Sequence, residues 1–369
     1  MKLNLDAFNN SDADKLIQMV HNKVSPIFQK NIYSDEDKRA IYRYLFSRKP
    51  IKTPPSMKSR IINLYDPMAD RSGHFNDGLR WCVNVYVGCS HNCGYCYVNG
   101  YSQENVGIAP HSKKDFEKLI NKDFDELRAL NVPPSPLHIS NSTDAFQEPL
   151  ERKHGHAYFT LNKIIENRDL FTSITILTKN PKILCDKNFL PVIMNPKMKP
   201  IIIQVTCAFW RDDVRVFYEP NAPSVQSRLE AIKILTDKGI ETELRIDPLF
   251  PSNRINQTIR KHKPLTEYSL PEAQNEEDIY QLIRFAKEAN LKGIIAKPLK
   301  VPISAKAVHC KNLFGELYKD ASCGKRTTRG GSWRLPETYQ KAMIQSISNI
   351  CSEEDISFKH CMHDVLTKK

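Results

Sequence analysis

Cys89, Cys93 and Cys96 lie in one short run, Gly88-Cys-Ser-His-Asn-Cys-Gly-Tyr-Cys96, separated by three and then two intervening residues. Iron–sulfur clusters are held by Cys thiolates, and a four-iron cubane takes four of them. Three thiols in one loop therefore leave one iron without a nearby protein ligand, open to a small molecule. The competing chemistry is a structural zinc site, which closes with four Cys or His ligands. His91 inside the loop and Cys82 just upstream are the candidates for a fourth ligand. Zinc ribbons and fingers present paired Cys-x-x-Cys or His-x-His arms. No second arm of that kind follows in this chain, which favours the cluster.

The elements that must position these thiols are readable from Trp81 onward. Strand-like runs occur at WCVNVYV, PLHIS, SITILT, PIIIQVT, ETELRID and KGIIAKP. Helical patterns such as KDFEKLINKDFDELRAL, YFTLNKIIEN and VQSRLEAIKILTDKG separate them. Strands alternating with helices imply βα units around a parallel sheet. Six units are too few for a closed eight-fold barrel and predict an open, partial (β/α)6 barrel. In such barrels chemistry sits at the C-terminal ends of the strands, and the Cys loop follows the first strand. Residues 1–80 read as a basic helical and irregular extension, 81–300 as the barrel, and 301–369 as a basic, Cys-containing C-terminal region. Ser11-x-x-Asp14 and Ser34-x-x-Asp37 resemble capping boxes at helix starts, and the strand-like IINLY follows. The polar segment 251–278 reads as a long insertion after the fifth strand.

Composition sets outer limits. The 369 residues are 40% hydrophobic, enough for a substantial core, and include ten cysteines. The N-terminal stretch has no apolar signal-like region, and no apolar run is long enough to span a bilayer. Thiols without a secretory signal imply a reducing compartment, so the expectation is a soluble cytoplasmic protein with no membrane partner. The net charge is +12, and nearly all of the excess lies in residues 1–80 and 297–369. Basic flanks of this kind attract nucleic acid or simply keep the chain soluble. The basic loop KRTTRGGSWRLP at 325–336 admits both readings.

The motif NVYVGCSHNCGYCYV resembles the cysteine signature of the radical S-adenosylmethionine (SAM) superfamily, in the form seen in its spore photoproduct lyase-like branch. Further similarities follow in order over roughly residues 80–250: STDAFQEPLE, ILTKNP, QVTCAF, YEPNAPSVQSRLEAIKIL and RIDPLFP. The resemblance implies a radical SAM barrel in which Cys89, Cys93 and Cys96 bind a [4Fe–4S] cluster whose fourth iron takes SAM. Reductive cleavage of SAM would then give a 5′-deoxyadenosyl radical that abstracts hydrogen from a substrate, with flavodoxin or ferredoxin as reductant.

By the same resemblance Thr143 holds the methionyl amino group, Lys179 pairs with the carboxylate, Thr206 bonds that end, and Tyr95 lies against the adenine. Glu243, Arg245 and Asp247 share one strand face by alternation. Arg245 is the candidate for SAM or substrate, or else an ion-pair partner of Asp247. The lyase relies on a hydrogen-donor cysteine where this chain has Asn141, which puts dimer repair by that mechanism in doubt. Cys207 is the weak substitute, with buried packing as its alternative. Cys310, Cys323, Cys351 and Cys361 are widely spaced, as structural thiols are, although four thiols are enough for a second cluster. The expected substrate is a macromolecule, nucleic acid ahead of peptide. A peptide or small metabolite, and a zinc-stabilised nucleic-acid-binding protein without catalysis, are the alternatives.

Overall fold

The computed structural model describes residues 61–65, 80–100, 109–129, 134–251, 264–302, 308–319, 327–329 and 332–360. The sheet that organises them has eight strands: β1 (Ile62–Tyr65), β2 (Arg80–Val83), β3 (Ser135–Ile139), β4 (Phe171–Thr178), β5 (Ile201–Thr206), β6 (Thr242–Leu249), β7 (Gly293–Pro298) and β8 (Phe358–His360). Their spatial order is their sequence order. β1 runs antiparallel to β2, and every later neighbour is parallel. Parallel strands laid down in one direction need crossovers, and right-handed crossovers put the helices on one face. The other face is left to line a pocket.

Helices α1 (Phe116–Ala129), α2 (Glu148–His154), α3 (His156–Glu166), α4 (Phe189–Ile193), α5 (Asp212–Tyr218), α6 (Val225–Asp237) and α7 (Glu276–Glu288) fill the crossovers between β2 and β7. α8 (Val308–Lys319) and α9 (Glu337–Glu353) lead to β8. The strands are rich in Ile, Val and Leu because both sheet faces are covered. Ile174, Ile176, Ile203, Val205, Leu244, Ile246 and Ile294 are all buried. α7 is fixed at its start by a capping box between Asn275 and Asp278, which satisfies two orphan backbone donors.

The six strands expected between Trp81 and Pro298 are present in that order, and the sheet is the partial barrel that the alternation implied. It also extends beyond the expected six. β1 joins from the lead-in segment, and the three-residue β8 joins from the C-terminal region. Lys300–Pro302 forms a small antiparallel sheet with Thr327–Arg329 and Ser332–Arg334, which takes in half of the basic loop at 325–336. Both capping-box-like starts lie outside the described residues. Of the 251–278 insertion, residues 251 and 264–278 are described. Gln274 pins it, accepting from the Phe250 N–H at 2.8 Å and donating to the Pro248 carbonyl at 3.1 Å. Among the described residues no helix is long and apolar enough to cross a membrane.

β8 docks through the Ile294 N–H, which donates to the Ser357 carbonyl at 2.8 Å. A Cβ added at Gly293 would meet that same carbonyl oxygen at 2.7 Å. Forcing a methyl into packed structure costs about 1–3 kcal/mol. Gly293→Ala should therefore lower the free energy of unfolding in urea by that amount, and the midpoint with it, through loss of β8 docking. An unchanged midpoint would mean that β8 does not contribute to the folded barrel.

Candidate active site

The strand ends and the Cys loop enclose a pocket of about 210 Å³. Alternation in the strands aims the contributing side chains. Gln204 and Thr206 of β5, and Arg245 and Asp247 of β6, are two apart and so face the same side; all four line the pocket. Lys179 follows β4, and Thr143 follows β3. Cys89, Cys93, Tyr95 and Cys96 line the pocket as well.

The Cys loop is held from several directions. Gly88 has φ of +75°, a left-handed conformation that glycine adopts without a Cβ clash. Its carbonyl accepts from the Thr143 hydroxyl and from Gln147 Nε2, the latter at 3.2 Å. The fully buried Gln147 also accepts the Ser90 N–H at 2.6 Å. Further along, the Gly94 N–H donates to the Tyr218 carbonyl at 2.9 Å.

Asp144 ties this loop to the barrel. Its carboxylate takes His91 Nε2 at 3.0 Å, the Phe146 N–H at 2.9 Å, the Thr178 hydroxyl at 2.9 Å and the Lys179 N–H at 2.7 Å. Burial alone would raise its pKa, but the hydrogen bond and charge of His91, with the backbone donors, hold it below the usual carboxylate value. One buried anion thus gathers the Cys loop, the β3 loop and the end of β4.

A second buried anion stands behind Tyr95. Glu219 is fully buried and pairs with the equally buried Arg228 at 2.5 Å. It also accepts the Tyr95 hydroxyl and lies 3.5 Å from Lys179 Nζ. Burial pushes the Glu219 carboxyl up, yet Arg228 and Lys179 bring it down to about 2. Arg228 donates to the Thr206 carbonyl at 2.9 Å. Lys179 Nζ lies 5.6 Å from the Tyr95 ring centroid, and the ring itself packs edge-on against Phe250 at 5.8 Å.

The pocket therefore brings together Cys89, Cys93, Cys96, Tyr95, Thr143, Lys179, Thr206 and Arg245. Thr143 spends its hydroxyl hydrogen on Gly88, and Tyr95 is mostly buried in the aromatic cluster. Arg245 makes the ion pair with Asp247 at 2.7 Å and bonds Gln204 Oε1 at 2.9 Å while still lining the pocket. Asn141 also lines it. Cys207 does not: its buried thiol bonds the Phe209 carbonyl at 3.4 Å, and burial raises its pKa to about 11. Cys82 is buried in β2, away from the pocket. Cys351 is buried in α9, Cys310 lies in α8, and Cys323 and Cys361 fall outside the described residues. Asp144, Gln147, Glu219 and Arg228 were not assigned roles from sequence, although all four lie within the stretches that carry the family resemblance.

The donor set fits a cluster. Burial raises the Cys89 thiol to about 12, while the His91 and Asp144 backbone N–H groups pull the other way. The Val98 and Asn99 N–H groups act similarly on Cys96, which burial also raises. Backbone N–H donors already aimed at sulfur are suited to bound thiolates. Among the described residues no three His, Cys, Asp or Glu side chains come close enough to hold one metal ion.

No protein-family model matches the chain. Structures of spore photoproduct lyase variants superpose with a TM-score of 0.54 at 12% identity, over 94% of this chain and 93% of theirs. The fold is the partial (β/α) barrel seen in spore photoproduct lyase. One of those lyase structures holds AdoMet and the dinucleoside spore photoproduct. In sequence, the chain is similar to an uncharacterised protein of Methanocaldococcus jannaschii, 26% identical over 198 residues, covering 52% of this chain and 69% of that one. An uncharacterised protein of Acidianus two-tailed virus is 23% identical over 191 residues, 49% of this chain and 60% of its own length.

Glu219→Gln removes the charge that neutralises the buried Arg228. Breaking a buried pair on one side costs about 3–5 kcal/mol. Denaturant unfolding of the variant should show a loss of that size; a change below about 1 kcal/mol would mean that water already reaches the pair.

Proposed function

We propose that the chain is a radical SAM enzyme. The observation that carries this reading is the convergence of three loop thiols with Lys179, Thr206 and Arg245 in one pocket at the C-terminal ends of a radical SAM barrel. Cys89, Cys93 and Cys96 would hold the [4Fe–4S] cluster. When bound, cluster and SAM supply reductive cleavage of the sulfonium and a 5′-deoxyadenosyl radical that takes hydrogen from the substrate. The chain's own residues hold the parts still and keep water out. Asp144 and Gln147 set the loop that carries the thiols. Lys179, kept charged by Glu219 against the effect of its burial, faces the pocket as the cation for the SAM carboxylate. Arg245 and Asp247 present a polar floor.

Asn141 at the pocket wall carries no thiol to return a hydrogen atom, and Cys207 is turned away from the pocket. Hydrogen return by a cysteine at either position is therefore not part of this reading, and the reaction is modification or repair of another kind. Nucleic acid is the preferred substrate, with peptide or small metabolite as the alternative, and a reduced flavodoxin or ferredoxin is the expected electron source. The zinc-binding alternative is disfavoured by the position of Cys82 in β2 and by the engagement of His91 with Asp144.

Cysteine variants separate the readings. After anaerobic reconstitution, Cys82→Ala should retain about four irons per chain and form 5′-deoxyadenosine from SAM with dithionite. Cys89→Ala should lose both. Loss of iron in Cys82→Ala with retention in Cys89→Ala would reverse the ligand assignment.

A further inference from the structure

A line of charged and polar groups runs from the pocket floor out to the C-terminal strand. Lys359 of β8 pairs with Glu243 of β6, its Nζ 2.8 Å from Oε1. The other carboxylate oxygen accepts Gln204 Nε2 at 2.8 Å, and Gln204 Oε1 accepts Arg245 Nη1 at 2.9 Å. Arg245 Nη2 ends the line on Asp247 at 2.7 Å. Glu243, Gln204 and Arg245 are all buried, whereas the Lys359 side chain is 57% exposed. Gln204, Arg245 and Asp247 line the pocket; Glu243 and Lys359 stand behind it.

Strand register brings these groups together. Gln204 lies beside Glu243, and Thr206 beside Arg245, in the parallel pairing of β5 with β6. Glu243 and Arg245 are two apart and share a face. Gln204 therefore reaches both, one directly across and one a step further along the neighbouring strand. On its other side Glu243 is in register with Gly293 of β7. A glycine there puts no side chain in the way, and Lys359, in register with Ile295, reaches across β7 to the carboxylate.

The Gln204 amide is held at both ends. A carboxylate only accepts and a guanidinium only donates, while a glutamine amide has one end for each. Glu243 takes the NH2 end and Arg245 takes the carbonyl, so both neighbours demand the same orientation. Lys359 supplies the counter-charge that a buried anion requires. With Gln204 fixed, one guanidinium nitrogen of Arg245 is set by Gln204 and another by Asp247. Loss of Glu243 or its counter-charge frees the amide to turn and leaves Arg245 tied to Asp247 alone.

We propose that Glu243 and Lys359 are positioning residues that act through Gln204 to hold the Arg245 guanidinium ready for SAM, so that docking of β8 completes the cofactor site. This role rests on the reading of the pocket as a SAM site and assigns the residues that aim one of its cations.

The test is SAM binding without turnover, by equilibrium dialysis of radiolabelled SAM against the anaerobically reconstituted full-length protein with no reductant. Lys359→Met, Glu243→Gln and Arg245→Gln should each weaken binding about tenfold, the worth of one charge-assisted hydrogen bond, with iron content unchanged. Glu243→Met/Lys359→Met removes both charges together, which spares the fold an unpaired buried one, and should show the same loss. Lys359→Arg should retain affinity. Lys287→Gln, which breaks only the exposed contact with Asp355 just before β8, should match the unaltered protein. In the Arg245→Gln background, Lys359→Met should bring no further loss, because residues that act through one another are not additive.

Unchanged affinity in Glu243→Met/Lys359→Met, an equal loss in Lys287→Gln, or a further tenfold loss in the Arg245→Gln background would each overturn the proposal while leaving the SAM site intact. Failure of the unaltered, iron-loaded protein to bind SAM at all is a separate result, which would overturn the radical SAM reading and this role with it.

Discussion

The arrangement of the pocket depends on a buried carboxylate. Asp144 sits where three parts of the chain meet, and each gives it a hydrogen bond: the Cys loop through His91, the β3 loop through Phe146, and the end of β4 through Thr178 and Lys179. A buried anion is tolerable only when it is fully paired, so satisfying Asp144 obliges those three segments to converge. The thiols and Lys179 then share a pocket as a consequence of one charge being solvated by protein instead of water. Glu219 repeats the device on the other side, drawing Arg228, Lys179 and Tyr95 together. Lys179 is common to both, its backbone on Asp144 and its ammonium near Glu219.

This construction explains how an eight-strand sheet supports a site made mostly of loops. The strands supply direction through alternation, which puts Gln204, Thr206, Arg245 and Asp247 on the pocket side. The loops supply chemistry, and the buried anions hold the loops. A polar ladder from Lys359 through Glu243 and Gln204 to Arg245 carries the same logic across the barrel floor and ties the C-terminal strand to the site.

Much of this was legible in the sequence because it rests on local pattern. The six strands from Trp81 to Pro298 announce themselves as β-branched runs, the cysteine spacing singles out the loop, and alternation placed Arg245 and Asp247 together. What was not legible depends on long-range pairing. β8 is three residues long, too short for any periodicity, and is a strand only because β7 offers it an edge. Glu219 and Arg228 sit in a helical and loop stretch whose charges look solvated until the fold buries both. His91 looked like a possible ligand by proximity to the thiols, whereas the fold turns its Nε2 to Asp144. Cys207 adjoins the pocket residue Thr206, but strand alternation and the Phe209 carbonyl direct its thiol away.

The central claim, that the loop thiols carry a cluster with an iron open to SAM, is tested most directly by electron paramagnetic resonance of the anaerobically reconstituted, dithionite-reduced protein. The account predicts the signal of a reduced [4Fe–4S] cluster whose g-values shift when SAM is added. Stoichiometric zinc with no such signal, or a cluster signal that SAM leaves unchanged, would contradict it.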